Sequence, residues 1–164
     1  GQEIVIYDPY VSAADVPAGI DHVDDLTELF ARSDAVSIHV PLTDGTQHAV
    51  TTEQLEALGE TGVVINTARG GIIDEEALVE ALESGAVGGA GLYNFEQEPP
   101  AAENPLFEHD AVLLSPHVGG VTYDAVERMS RAATANVRTV YEGDLPESTV
   151  NRELLDKKAI SSSS

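Results

Sequence analysis

The sequence predicts an α/β fold built on a parallel sheet. Three observations carry that expectation. Short apolar runs recur along the chain. They are nearly continuous in Val, Ile and Leu rather than alternating, which is how strands covered on both faces read. Helical patterns separate the earlier ones, and strand–helix alternation every roughly 20–30 residues marks βα units.

The runs come in order as "EIVIY" (3–7), "AVSIHV" (35–40), "GVVINT" (62–67), "GGAGLYNF" (88–95) and "AVLLS" (111–115). Between the first two, "DLTELFARS" places Leu26, Leu29 and Phe30 on one helical face. "TTEQLEAL" opens with Thr51 and Gln54 at capping-box spacing. "DEEALVEALESG" starts at Asp74 as N-cap, carries acids in its first turn and stops at Gly85. A longer helix is expected over 122–142, with Val126, Met129, Ala133, Val137 and Val140 as one apolar stripe. "EGDLPESTVN" reads as a turn and a short extended segment, and "KKAISSSS" as a disordered tail. The expected division is 1–121, 122–142 and 143–164.

A chain of 164 residues with 42% apolar content suits one domain with a real core. No run reaches the length of a membrane span and no signal-peptide pattern opens the chain, so the expected location is cytoplasmic. Cysteine is absent, which excludes disulfides and thiolate metal sites. The five histidines are scattered and no HExxH spacing occurs, so no metal is expected. Lys and Arg number 8 against 29 Asp and Glu, a net charge of −21. Such a surface repels nucleic acid and anionic membranes. An acidic folded domain fits a high-salt cytoplasm, where self-repulsion is screened within about 3 Å at 1 M salt. Residues 1–120 contain only two cations, Arg32 and Arg69.

In an open parallel sheet, ligands bind beyond the carboxyl ends of the strands. The first run ends in Asp8, either a turn cap or an acceptor for the paired hydroxyls of a nucleotide ribose. The phosphate-binding G-x-G-x-x-G that should precede it does not occur in the chain. The second run ends in His39, read as a packing residue, and Pro41. Arg69 follows the third, where a guanidinium holds a carboxylate by two parallel hydrogen bonds or forms a surface ion pair. Gly70 and Gly71 permit a tight turn and a close approach by a ligand. Beyond the fourth, Pro99 biases Glu98 towards extended backbone; alone, Glu98 reads as a solvated loop acid. Beyond the fifth, His117 stands between Pro116 and Gly119–Gly120, a structural imidazole or an acid–base.

In order, "NTARGGIIDEEALVEAL", "FEQEPP…NPLF" and "LLSPHVGG" resemble the signatures of the D-isomer-specific 2-hydroxyacid dehydrogenase family, in its phosphoglycerate dehydrogenase-like branch. The resemblance covers about 1–152. It implies a Rossmann-like NAD-binding domain over 1–121, here incomplete, with the first strand and the glycine-loop helix absent and the sheet gapped in consequence. It implies a catalytic trio in which Arg69 binds the substrate carboxylate, His117 exchanges a proton with the carbonyl oxygen, and Glu98 orients the imidazole and favours its protonated form. It implies NAD as cofactor, with Asp8 on the adenosine ribose, Pro41, Thr67, Ala68 and Arg69 along the cofactor groove, and Tyr93, His117, Gly119 and Gly120 near the nicotinamide. The implied substrate is a small 2-hydroxy or 2-oxo acid, and the implied assembly a homodimer of a longer protein. The truncated chain is expected to be inactive alone. Where the family carries Asp-Val, this sequence has Tyr93-Asn94. That departure keeps a second reading open: a non-catalytic dinucleotide-binding or interaction protein, as in the corepressor branch, or a decayed paralogue.

Overall fold

The structure is a computed structural model that describes residues 3–152 and 155. The chain divides into two compact units, Gly1–His117 and Val118–Ser164.

Among its described residues the first unit holds six strands, all pairing in parallel. β1 (Ile4–Ile6) pairs with β2 (Ile20–His22), Ile4 opposite Ile20. The apolar-run reading passes over β2, because it is three residues long and Asp21 interrupts it. The other sheet is β3 (Ala35–Ile38), β4 (Val63–Asn66), β5 (Gly89–Leu92) and β6 (Val112–Leu114), in that spatial order. The parallel sheet thus stands in two pieces, and β1 and β3 each pair on one side only among the described residues.

Three α-helices connect these strands. α1 (Leu26–Ala31) is capped by Asp25, whose side chain accepts from Glu28 N. α2 (Thr52–Leu58) has the expected capping residues: Gln54 Oε1 accepts from both Thr51 N and Thr51 Oγ1. α3 (Glu75–Ser84) is capped by Asp74 through Ala77 N and ends at Gly85 in the left-handed region, φ 76°.

The expectation of strands covered on both faces holds for β5 and fails for its neighbours. Val36, Ile38, Val64, Ala90 and Leu92 lie on the buried side, packed with Leu55, Leu58, Ile72, Leu78, Leu82 and Leu106. The opposite side of the register leaves Val63 36% and Leu113 78% exposed. The core therefore sits on one face of the four-stranded sheet, and α1 adds Phe30 to the apolar residues that α2 and α3 supply. An apolar run cannot distinguish one covered face from two when the second face is also apolar.

The second unit contains α4 (Tyr123–Tyr141), capped by Thr122 through Ala125 N. Its stripe residues Val126, Met129, Val137 and Val140 are exposed. The segment "KKAISSSS" lies outside the described residues. Among the described residues no helix is long and apolar enough to cross a membrane.

Candidate functional site

β4 delivers Arg69. Its last residue, Asn66, is buried, and its carboxamide folds over the following turn: Oδ1 accepts from Ala68 N at 3.0 Å and Nδ2 donates to Arg69 O at 2.8 Å. The chain then enters a short 3-10 turn, Gly70–Ile72. Arg69 is exposed, and its Nη1 donates to Ala68 O at 2.6 Å. Among the described residues its guanidinium forms no ion pair, so the surface-pair reading finds no partner there. Arg32 shows the contrast. It pairs with Asp21 at 2.6 Å, Glu3 at 3.4 Å and Glu28 at 3.7 Å, and its pKa is raised above the ordinary value, first by the hydrogen bond to Asp21.

β5 ends at Leu92, so Tyr93 and Asn94 already lie beyond the strand. Tyr93 N still donates to Asn66 O at 3.0 Å. Asn94 is 2% exposed and its Nδ2 donates to Ala68 O at 2.9 Å. At Gly70 a Cβ would lie 1.9 Å from the Phe95 carbonyl carbon and oxygen and 2.4 Å from Glu96 N. The expected tight turn forms at the glycine pair. A close approach at Gly70 is made by the protein's own backbone, and it seats the Arg69 turn against loop 94–98.

That loop presents Glu98, whose Oε1 accepts from Phe95 N at 3.3 Å. Beyond β6, His117 Nδ1 lies 3.1 Å from Glu98 Oε2 and 3.2 Å from Oε1. An ionised carboxylate only accepts, so Nδ1 carries the proton and Nε2 remains for other chemistry. Both side chains are close to half exposed, 44% for His117 and 42% for Glu98. The Tyr93 ring packs beside the imidazole with centroids 4.8 Å apart at 59°. The carboxylate that orients the imidazole and a guanidinium without an ion-pair partner therefore stand on backbone segments that touch each other.

The remaining expected residues are distributed over other strand ends. Asp8 stands at the end of β1 in the two-stranded sheet, where Oδ1 accepts from Tyr10 N at 2.9 Å, the turn-cap arrangement. The same carboxylate keeps acceptor capacity for ribose hydroxyls. Pro41 is exposed and its carbonyl accepts from Thr46 Oγ1 at 2.6 Å. Thr67 is exposed and Ala68 half-buried beside Arg69. Gly119 and Gly120 are exposed residues of the second unit. His39, expected to pack, is exposed at the end of β3 with Nε2 2.8 Å from Ser37 Oγ. The short run carries it past the covered part of the sheet.

Three polar groups escape the sequence reading. Asn66 has a readable signal, a polar residue inside the apolar run "GVVINT". Asn94 has none beyond its departure from the family pattern. His48, at φ 49°, puts Nε2 2.7 Å from Glu96 Oε1, joining segments 48 residues apart.

A model of the NAD binding domain of D-isomer specific 2-hydroxyacid dehydrogenases matches residues 1–119. The chain belongs to that family. Among the family's curated proteins it is 46% identical over 131 residues to a glyoxylate reductase of Thermofilum pendens, covering 80% of this chain and 39% of that protein. It is 40% identical over 152 residues to a D-3-phosphoglycerate dehydrogenase of Methanocaldococcus jannaschii, covering 92% of this chain and 29% of that protein. The crystal structure of a D-isomer specific 2-hydroxyacid dehydrogenase from Xanthobacter autotrophicus superposes with a TM-score of 0.78 at 28% identity, over 90% of this chain and 48% of that one. The parallel architecture is therefore Rossmann-like, as the family resemblance implies. The chain spans less than half the length of each of these family members.

Proposed function

We propose that this chain carries the proton-transfer and carboxylate-anchoring part of an NAD-dependent oxidoreductase of small D-2-hydroxy and 2-oxo acids. The observation that carries the reading is the His117–Glu98 pair, whose Glu98 lies on a loop packed against the Arg69 turn. Arg69, Glu98 and His117 are the catalytic trio of this proposal. Arg69 grips the substrate carboxylate with parallel hydrogen bonds. His117 Nε2 holds the proton given to the carbonyl oxygen during reduction and takes it back during oxidation. Glu98 keeps the imidazole tautomer and ring direction that this transfer needs. A bound nicotinamide supplies the hydride.

The residues present fit the two ends of such a cofactor. Asp8 retains acceptors for a ribose, and an acid there disfavours the extra phosphate of NADP. The family resemblance assigns Pro41, Thr67, Ala68 and Arg69 to the proposed groove and Tyr93 and His117 to the nicotinamide; it assigns Gly119 and Gly120 of the second unit to the cofactor as well. No G-x-G-x-x-G occurs in the 164 residues, so the pyrophosphate cradle is not among them. The chain by itself is accordingly proposed to be inactive and to bind NAD weakly or not at all. The working protein is proposed to be a cytoplasmic homodimer with no nucleic-acid or membrane partner.

The test grafts this chain into a relative in place of the matched segment. The chimera is expected to reduce 2-oxo acids with NADH, and His117→Ala to lower kcat on the order of 100-fold or more. Full activity in His117→Ala would remove the assigned role. Tyr93-Asn94 favours the alternative, a non-catalytic dinucleotide-binding or interaction protein. That reading expects a chimera that binds NAD and turns over no 2-oxo acid.

A further inference from the structure

Asn94 is the residue whose chemistry the trio does not explain. It is 2% exposed, and its Oδ1 is buried without a hydrogen-bond partner among the described residues. The amide cannot be turned round to remove the defect. Ala68 O only accepts, so the atom 2.9 Å from it must be Nδ2, and Oδ1 is left over. A buried carboxamide oxygen with no partner is costly, and buried polar groups in folded proteins are satisfied by protein or by water. Asn94 lines a cavity of about 10 Å³ with Asn66, Gly70, Ile73, Glu75 and Leu78. A single water needs roughly 10–15 Å³ and two or more polar partners.

We propose that Asn94 is a positioning residue for Arg69 and that one buried water completes it. The water donates one hydrogen to Asn94 Oδ1 and the other to the Glu75 carboxylate. Glu75 also accepts from Glu96 N at 3.0 Å and from Asn104 Nδ2 at 2.5 Å, so the water ties Asn94 to the first residue of α3, which already holds the 94–98 loop. On the other side, Asn94 Nδ2 shares Ala68 O with Arg69 Nη1. Asn66 holds the same turn through Ala68 N and Arg69 O. The peptide that aims the guanidinium is thereby held from both strand ends. The significance of the aim rests on the proposed role of Arg69 as carboxylate anchor.

The experiment uses the 164-residue chain in molar salt and involves no substrate, so it fails or succeeds independently of the proposed reaction. A crystal structure that orders internal solvent is expected to contain one water within hydrogen-bond distance of Asn94 Oδ1; a dry cavity overturns the proposal. In 15N relaxation, the Arg69 Nε–H order parameter is expected to fall by about a third in Asn94→Leu, which removes the Ala68 bond and the water together. A purely structural Asn94 would lower Tm and leave the Arg69 signal unchanged, and that result also overturns it. Asn94→Ser, too short to reach Ala68 O, gives the same reading where the leucine variant does not fold.

Discussion

Adjacent glycines in "RGG" offer a paired substitution whose two outcomes should diverge. Neither has a positive φ, so alanine is compatible with the backbone at both positions. At Gly70 the added Cβ would lie 1.9 Å from the Phe95 carbonyl carbon and oxygen. Carbon atoms pack at about 3.5 Å, so the turn and the loop would have to part by roughly 1.5 Å. The obstacle is backbone, which no rotamer change relieves. The cost should sit at the upper end of overpacking, about 3 kcal/mol, and lower Tm by roughly 10 °C. At Gly71 the nearest atom is Leu42 Cδ2 at 3.4 Å, on a side chain that is 45% exposed and free to turn. Alanine there also restricts the unfolded chain, which stabilises by about 0.4–1 kcal/mol. Gly71→Ala should therefore stay within about 1 kcal/mol of the parent. Thermal unfolding of both variants in the same salt decides the matter. In the chimera, the same displacement separates Glu98 from Arg69, and kcat/KM should fall on the order of 100-fold in Gly70→Ala alone. Equal and small effects at the two glycines would refute the packing argument.

Two further expectations concern stability. Leu78, 1% exposed in α3, should cost about 2–5 kcal/mol on change to Ala, whereas Val137, 71% exposed on α4, should stay within about 0.5 kcal/mol; denaturant unfolding separates them. With a net charge of −21, the chain is proposed to need high salt, so dilution from molar salt into dilute buffer should lose the cooperative unfolding transition; a salt-independent Tm would remove the high-salt reading. In the same titration Arg32→Met should weaken the fold only at low salt, since Arg32 is an exposed pair partner that salt screens.

Much of the framework was legible in the residues because local rules and tertiary structure agree there. Thr51 and Asp74 open helices, and Gly85 closes one, because each supplies a backbone partner or a left-handed residue that a helix end needs wherever it packs. β2 was not legible, because three residues with an acid in the middle carry too little pattern. The open face of the sheet was hidden for a different reason: Val63 and Leu113 are as apolar as the core residues beside them. At the proposed site, Arg69, Glu98 and His117 point to chemistry only in combination, since each alone has an ordinary explanation. The ties between them are distances across the fold. His48–Glu96 and Asn94–Ala68 join residues 48 and 26 positions apart, and no local spacing announces such pairs.

What holds loop 94–98 in place determines whether the trio survives the proposed environment. The loop follows β5, yet it is joined to segments beyond β3, β4 and β6. Glu96 reaches His48, Gly70 abuts Phe95, and Glu98 reaches His117. The two His–carboxylate contacts involve side chains that are more than a third exposed, and molar salt screens such pairs strongly. The Gly70 contact and the edge-on packing of Phe95 against Phe107, with centroids 5.4 Å apart, are not electrostatic and do not weaken in this way. In a chain this acidic, the placement of Glu98 therefore rests more on close backbone packing than on charge. Glu96→Gln, which keeps the shape and removes the charge, should consequently leave the Arg69 and His117 NMR signals unmoved in molar salt, where Gly70→Ala shifts both.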